Sequence, residues 1–246
     1  MKKRNAFSAS AAILSLAATG AIATPAAAQD VDWSIGVDYV TEYVFRGASL
    51  GADSIQPYVE ASVGNFTVGA WASTAFGEGS AAAADEIDFY AGYSVPLEGP
   101  LSLDLGVTYY HYPQGGGLLE TDNGGTGSYE FSAAVGFGEV PLAPSLAAYY
   151  DVTLENFTVE GAIGHSVGFG EKNGLDLGLT VGLVDGDGFS YEWATASVAL
   201  PFAISDSASV YVGANYTLNS DDALDFNALN PRDELLWFGT GISTSF

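Results

Sequence analysis

Acidic side chains recur at alternate positions inside stretches of this sequence that are otherwise apolar. Successive residues of a strand point to opposite faces, so each of these acids would face away from its apolar neighbours. A carboxylate is expensive to hold against hydrocarbon, so this second face must meet water or polar partners. The acids on this predicted inward face are Asp32, Asp38, Glu42, Glu60, Glu86, Asp88, Asp104, Glu130, Asp151, Glu160 and Asp176.

Arg46 is nearly alone as a cation among these acids. Rings of carboxylates around a water-filled lumen favour cations, and an arginine inside them would shape the narrowest point. We expect Arg46 to form a charge pair with Glu86 and Asp88 across or along a constriction. The alternative is a structural salt bridge that packs a closed lumen. The residues predicted to line the lumen or its constriction are Arg46, Glu42, Asp38, Trp71, Glu86, Asp88, Tyr90, Asp104 and Tyr110.

Other arrangements that could do chemistry are weak. The two histidines, His111 and His165, both fall on the apolar phase, and Ser166 points away from its neighbour His165, so no catalytic triad is predicted. Loop carboxylates at 185–188 and 221–225 could bind calcium, but neither group has the twelve-residue spacing that ends in a glutamate. We interpret them as solvated loop acids, and expect no catalytic residue, metal site or cofactor.

The elements that would hold the inward acids are long two-faced strands. The first alternation keeps its phase for about fifteen residues, whereas a tilted membrane-spanning strand needs roughly ten. The sequence predicts about twelve strands, an even number as in single-chain bacterial barrels. They cover residues 31–45, 55–63, 66–76, 87–95, 101–111, 129–137, 146–154, 157–169, 175–183, about 190–200, about 208–218, and 235–246.

The last strand has the clearest pattern. Leu236, Phe238, Ile242 and Phe246 lie on one face, and small residues lie on the other. A bare apolar strand at an open sheet edge would invite aggregation, so we expect it to pair with the first strand and close a barrel. Phe246 resembles the terminal aromatic residue that the barrel-assembly machinery recognises. Aromatic residues near strand ends, including Trp33, Tyr43, Phe45, Phe66 and Trp237, predict girdles at the two membrane surfaces.

Residues 1–28 are typical of a secretory signal peptide, with a basic start, an apolar middle and a small-residue end near Ala28. Residues 29–246 would form the barrel, with short turns and both termini on the periplasmic side and longer loops outside. After cleavage, three basic residues would face thirty acidic ones, which excludes nucleic acid as a partner. The sequence has no cysteine, so a disulfide framework is excluded as well.

Motifs in the first half of the chain resemble those of TorF-type porins of proteobacteria. The motifs are Tyr43-Val44-Phe45-Arg46-Gly47, Gln56-Pro57, Gly69-Ala70-Trp71-Ala72-Ser73, residues 86–93, residues 106–110 and Tyr112-Pro113. The resemblance covers essentially the mature chain, although the second half matches mainly in strand rhythm and in its aromatic end. It implies an outer-membrane barrel that acts as a porin, and it carries over no substrate and no catalytic residue.

These patterns together predict an all-β protein, a closed antiparallel transmembrane β-barrel of the bacterial outer membrane. We expect a narrow porin that passes ions or small hydrophilic solutes, prefers cations, and contacts outer-membrane lipids and lipopolysaccharide. A wall of twelve strands would be roughly 24 Å across, which leaves about 10 Å or less between inward side chains. The alternatives are a closed barrel with a structural or adhesive role, a lipid-modifying barrel enzyme, and an exported β-sandwich. The sequence does not indicate an oligomeric state.

Overall fold

A computed structural model describes residues 31–76, 85–122, 125–170, 172–220 and 232–246 of the chain. The predicted signal peptide therefore lies outside the described residues, as does the acidic cluster at 221–225. Fourteen strands are described, followed here in chain order. They are β1 (Asp32–Val40), β2 (Tyr43–Phe45), β3 (Ala48–Gly51), β4 (Ser54–Val63), β5 (Phe66–Ala75), β6 (Glu86–Val95), β7 (Leu101–His111), β8 (Ser128–Phe137), β9 (Ser145–Asp151), β10 (Asn156–Phe169), β11 (Asn173–Gly186), β12 (Phe189–Ala203), β13 (Ala208–Asn219) and β14 (Glu234–Ser245).

Twelve of these strands, β1 and β4–β14, form one closed antiparallel barrel, as the sequence predicts. Each strand from β4 to β14 pairs with the next, and β1 pairs with both β4 and β14. At the closure, Val37 lies opposite Ile242, and the backbones of Trp33 and Phe246 exchange two hydrogen bonds of 2.9 and 3.0 Å. Closure removes the sheet edge that β14 would otherwise expose. The short strands β2 and β3 pair only with each other and are not part of the wall.

The two faces of the wall differ as the alternation predicts. On β14, Leu236 is 62% exposed while its neighbour Leu235 is 1% exposed. Large apolar side chains face outward around the barrel, among them Ile35, Val59, Phe66, Val68, Phe89, Leu105, Phe131, Leu146, Leu179, Val181, Val212 and Phe238. An exposed apolar surface that runs around a closed barrel is typical of a protein whose outer solvent is lipid.

The connections separate into two ends, which we call the short-turn end and the loop end. Residues 64–65, 96–100, 138–144, 170–172 and 204–207 make the short-turn end, where β1 begins and β14 ends. At the loop end the strands are joined through residues 41–53, 76–85, 112–127, 152–155, 187–188 and 220–233, of which 77–84, 123–124 and 221–231 lie outside the described residues. Two of these six links, residues 152–155 and 187–188, are short. The predicted difference between short turns at one end and longer loops at the other is therefore met only in part. Among the residues described, no helix is long and apolar enough to cross a membrane.

Candidate functional site

The interior of the barrel is filled at the loop end by a hairpin made of residues 41–53, which we call the inner hairpin. β1 leaves the wall after Val40. Its last backbone hydrogen bond to β14 runs from the Thr41 amide to the Phe238 carbonyl, at 2.9 Å. The prediction of one strand through Phe45 is therefore wrong. The alternation continues across the bend, but Tyr43 and Val44 are both buried, and neither Tyr43 nor Phe45 belongs to an outer girdle.

The turn of the inner hairpin explains why the chain reverses here. Arg46 and Gly47 both have positive φ, at 47° and 81°. Two successive residues with positive φ make the turn whose twist suits a tight hairpin. Glycine adopts this conformation freely, whereas Arg46 is held in it by what its side chain contacts.

The Arg46 side chain is bound on three sides inside the barrel. Its two terminal nitrogens donate to the two carboxylate oxygens of Glu130 on β8, at 2.6 and 2.8 Å. Its Cζ lies 4.1 Å from the ring centre of Tyr149 and 4.6 Å from that of Phe45. Burial alone would lower the pKa of Arg46, but the bonds to Glu130 and the neighbouring negative charge raise it above its usual value. Arg46 is therefore a permanent buried cation.

The predicted partners of Arg46 were wrong. Glu86 and Asp88 lie on β6 at the same end of the barrel, but the salt bridge goes to Glu130. Glu86 accepts hydrogen bonds from Tyr43 of the inner hairpin at 2.9 Å and from Tyr112 at 3.2 Å instead. The choice depends on where the bend at residues 41–42 aims the hairpin, and alternation along a strand carries no information about that bend.

Further polar contacts fix the inner hairpin to the wall. Arg232, which precedes β14, forms a salt bridge with Glu42. Ser49 donates to the same carboxylate at 2.5 Å. The side-chain amide of Asn219 at the end of β13 donates to the Gly47 carbonyl at 2.7 Å. Both arginines of residues 29–246 are thus engaged in holding the hairpin.

Apolar contacts complete the closure of the loop end. Ala48 packs in a buried cluster with Val184, Tyr191 and Trp193 of β11 and β12. Val44 packs on the opposite side with Val40, Leu235 and Trp237. The Tyr43 ring lies 5.4 Å from the Trp71 ring on β5. The hairpin therefore touches the wall on nearly every side.

The short-turn half of the lumen is lined differently. Its inward positions are mostly small, such as Ser62, Gly92, Gly106, Ser132, Gly136, Ser145, Gly174, Ser197, Gly213 and Ser243. These side chains take up less of the interior than the aromatic and acidic side chains of the loop half. Glu60 and Tyr90 lie at the boundary, half-buried, with a 3.1 Å bond from the Tyr90 hydroxyl to the Glu60 carboxylate.

The residues predicted to line one constriction lie in different parts of the lumen. Trp71, Glu86, Asp88 and Tyr110 surround the inner hairpin, to which Glu42 itself belongs, and the Tyr110 hydroxyl donates to Glu130 at 3.0 Å. Asp104 lies towards the short-turn end, where Ser94 donates to it at 2.6 Å. Asp38 is buried, and its carboxylate and the Tyr211 ring both lie against Gly241. The sequence did not indicate Tyr149, Trp193 or Asn219 as contacts of the hairpin, although the alternation already placed Tyr149 on the inner face.

The histidines give no support for catalysis. His165 is exposed on the outward phase of β10, as predicted, and Ser166 belongs to the opposite phase. His111 is buried, however, beside Tyr109. Tyr109 is covered from the loop side, because Gly127 lies against its hydroxyl. Within the described residues, no group of three or more His, Asp or Glu side chains is arranged to hold a metal ion.

The fold and the lumen define the chain as a closed twelve-stranded antiparallel β-barrel with an inward-folded hairpin. Residues 23–153 match the family model described as "Bacterial protein of unknown function (Gcw_chp)". This match covers more than half of the chain, and the protein therefore belongs to the Gcw_chp family. It does not test the resemblance to TorF-type porins, which stays a prediction. No curated protein sequence matches the chain.

The solved structures with a similar fold include two porins and an outer membrane channel. The KdgM porin is 12% identical with a TM-score of 0.57, and the match covers 87% of this chain and 99% of the KdgM chain. The NanC porin is 10% identical with a TM-score of 0.52, with the same coverage of 87% and 99%. The COG4313 outer membrane channel from Pseudomonas putida F1 is 14% identical with a TM-score of 0.50, and covers 89% and 96%. At these identities the likeness shows the fold.

Proposed function

We propose that the protein is an outer-membrane channel through which ions or small hydrophilic solutes diffuse passively. One observation carries this proposal: the short-turn half of the lumen is lined by small residues, and the loop half is filled by a hairpin outside the wall's hydrogen-bonded sheet. A barrel that served only as a scaffold would need no such division between a half lined by small side chains and a half filled by a separate hairpin. The fold that it shares with the KdgM and NanC porins is consistent with this role.

We further infer that the channel prefers cations. Glu60, Asp104 and Asp176 face the lumen away from the inner hairpin, and both arginines of residues 29–246 are engaged in salt bridges at the loop end. A lumen with more carboxylates than cations holds a negative potential, which attracts cations and repels anions.

The exposed apolar surface supports a place in the bacterial outer membrane, in contact with lipids and lipopolysaccharide. In this orientation the short turns and both ends of the barrel face the periplasm. Export would depend on residues 1–28, and insertion would depend on the barrel-assembly machinery, for which Phe246 is the proposed signal.

A closed barrel with a structural or adhesive role is the second candidate. The observation that favours it is the inner hairpin itself, which packs against β5, β8, β11, β12 and β14 and leaves the loop end filled. The two candidates differ in whether the hairpin ever leaves this position. A lipid-modifying enzyme is disfavoured by the positions of His165 and Ser166 on opposite faces.

Conductance across a planar lipid bilayer tests the proposal. Residues 29–246, refolded and purified, should produce discrete current steps, and a salt gradient should give a reversal potential of the sign expected for cations. Protein unfolded by heat before addition is the control, and it should give no steps. Absence of current at every voltage and pH would refute the channel and leave the closed barrel. Reversal towards anions would refute only the cation preference.

A further inference from the structure

Two carboxyl groups meet beneath the inner hairpin without a cation between them. Glu86 and Asp88 are two positions apart on β6 and share its inward face, where they are 3% and 1% exposed. The two carboxyl groups lie close together on this face. Two ionised carboxylates repel each other strongly in a dry site, and a single proton bound by the pair removes that repulsion.

The surroundings provide donors and further negative charge. Tyr43 on the inner hairpin and Tyr112 after β7 both donate to Glu86. Burial is the main cause, and the charge of Glu86 the second, that raises the pKa of each phenol well above its usual value. Both phenols therefore remain neutral donors. Asp88 lies opposite Trp71 on β5 and Tyr110 on β7.

The charged groups nearby do not neutralise the pair. Glu130 on β8 adds negative charge close to Asp88, but its own partner is Arg46. Asp151 on β9 lies near Tyr112, and its carboxylate caps the turn amides of Thr153 and Leu154 at 2.8 Å. The two salt bridges among the described residues both bypass Glu86 and Asp88.

Asp88 supplies a second and independent observation. Its Oδ1 is fully enclosed and has no hydrogen-bond partner among the described atoms. An ionised carboxylate oxygen left in this state would be costly, as a buried charge without a partner is. A protonated Asp88 lowers that cost, because the oxygen atoms then belong to a neutral group.

We propose that Glu86 and Asp88 bind one shared proton, and that this proton keeps the inner hairpin inside the barrel. The link between them is Tyr43, whose hydroxyl ties the hairpin to Glu86. This proposal adds a regulatory site to the proposed channel, and the conductance part of its consequences rests on that function.

The direction of the pH effect follows from which state binds the proton more tightly. When the hairpin leaves, water reaches both carboxyl groups and they recover their ordinary acidity, so the open state releases the proton. The closed state is therefore favoured at low pH and is lost as pH rises. For one proton, the ratio of open to closed barrels changes by at most about tenfold per pH unit.

A cysteine introduced into the inner hairpin reports its position directly, because the chain has no cysteine of its own. Ala48→Cys places a small thiol at a site that is 3% exposed. Its labelling rate by a water-soluble methanethiosulfonate is measured in detergent micelles from pH 5 to pH 8. The rate is divided by that of Ser207→Cys, an exposed turn residue, which removes the effect of thiol ionisation.

The labelling rate of Ala48→Cys relative to that of Ser207→Cys, which we call the labelling ratio, should rise by about tenfold or more between pH 5 and pH 8 in the otherwise native barrel. Asp88→Asn and Glu86→Gln imitate the protonated group, and each should hold the ratio at its low-pH value throughout. Asp104→Asn, which removes a buried carboxylate near the short-turn end, should keep the native pH response. Heat-modifiable migration on gels shows whether each variant is folded.

A ratio that does not change with pH in the native barrel would overturn the proposal, as would an unaltered pH response in a folded Asp88→Asn barrel. Conductance measured on the same samples separates this result from the channel itself. A pH-dependent ratio with no current at any pH would leave the proton site standing and refute the channel. Current together with a labelling ratio that does not change with pH would support the channel and refute the proton site.

Discussion

The guanidinium of Arg46 binds both carboxylate oxygens of Glu130, 84 positions away in the chain, with both side chains nearly enclosed. Bidentate pairing of this kind fixes direction as well as distance. Arg46 belongs to a hairpin that shares no strand ladder with the wall, whereas Glu130 belongs to the wall. This pair therefore determines where the tip of the inner hairpin lies.

Replacing Arg46 with methionine should loosen the inner hairpin. The change keeps much of the side-chain volume but leaves Glu130 buried without its cation, which costs about 3–5 kcal/mol at sites of this kind. The hairpin should leave the lumen more often, with a higher conductance and a faster labelling of Ala48→Cys at neutral pH. Cation preference should also increase, because a positive charge is lost from the lumen.

Lys172→Met is the matched control for Arg46→Met. It removes one positive charge from the turn between β10 and β11 at the opposite end of the barrel. Conductance and labelling should then stay at the native level. If Arg46→Met, like this control, conducts with native magnitude and native cation preference, Arg46 does not shape the conducting path.

The cation preference should depend on Glu60. This side chain faces the lumen at the boundary between its two halves, and it accepts a hydrogen bond from Tyr90. Glu60→Gln keeps the shape and the hydrogen bond but removes the charge, so the reversal potential in a salt gradient should move towards zero. The shift should shrink as ionic strength rises, since salt screens the lumen charge.

Glu192→Gln, which removes an exposed acid on the outward phase of β12, should leave the potential unchanged. An equal shift in both variants would assign the preference to overall charge rather than to the lumen.

Rings of lumen-facing aromatic residues lie against glycines of the neighbouring strand. Tyr58 covers Gly36, Tyr90 covers Gly69, and Trp193 covers Gly182. A methyl group at Gly69 would overlap the Tyr90 ring, so Gly69→Ala should displace it and destabilise the barrel by about 1–3 kcal/mol. The measurement is the urea or temperature midpoint of unfolding in lipid. Gly168→Ala, on the inward phase of β10 with open space around the position, should change the midpoint little. Equal midpoints for the two variants would mean that the ring moves aside without cost.

The wall of the barrel could be predicted from the sequence because the information needed is local. Alternation along β5, β7 and β14 determines which side chains meet lipid and which meet the lumen, and closure follows because the apolar edge of β14 needs a partner strand. The two faces of β14 are the clearest case, since Leu236 and Phe238 are exposed while Leu235 and Trp237 are buried.

The inner hairpin could not be predicted in the same way. Residues 41–45 continue the alternation of β1, and nothing in that pattern marks the bend after Val40. Its position depends on contacts with residues far along the chain, such as Glu130, Trp193 and Asn219. The acid Glu130 was predicted to face inward, but its pairing with Arg46 depends on the bend and on the register of β8.

Gly47 offers a test of how tightly the tip of the inner hairpin fits the wall. Its φ of 81° suits glycine, and a methyl group there would overlap Cβ of Trp193. Gly47→Ala should therefore suffer both backbone strain and a clash, and the hairpin should leave the lumen more often, with increased conductance.

Gly188→Ala separates the two causes, because Gly188 has a φ of 83° and open space around it. That control carries the backbone strain alone, at about 1–2 kcal/mol, in a turn far from the hairpin along the chain. Higher conductance in Gly47→Ala alone would show that the contact with Trp193 keeps the hairpin in place, whereas native conductance in both variants would mean that the tip tolerates displacement while the loop end stays closed.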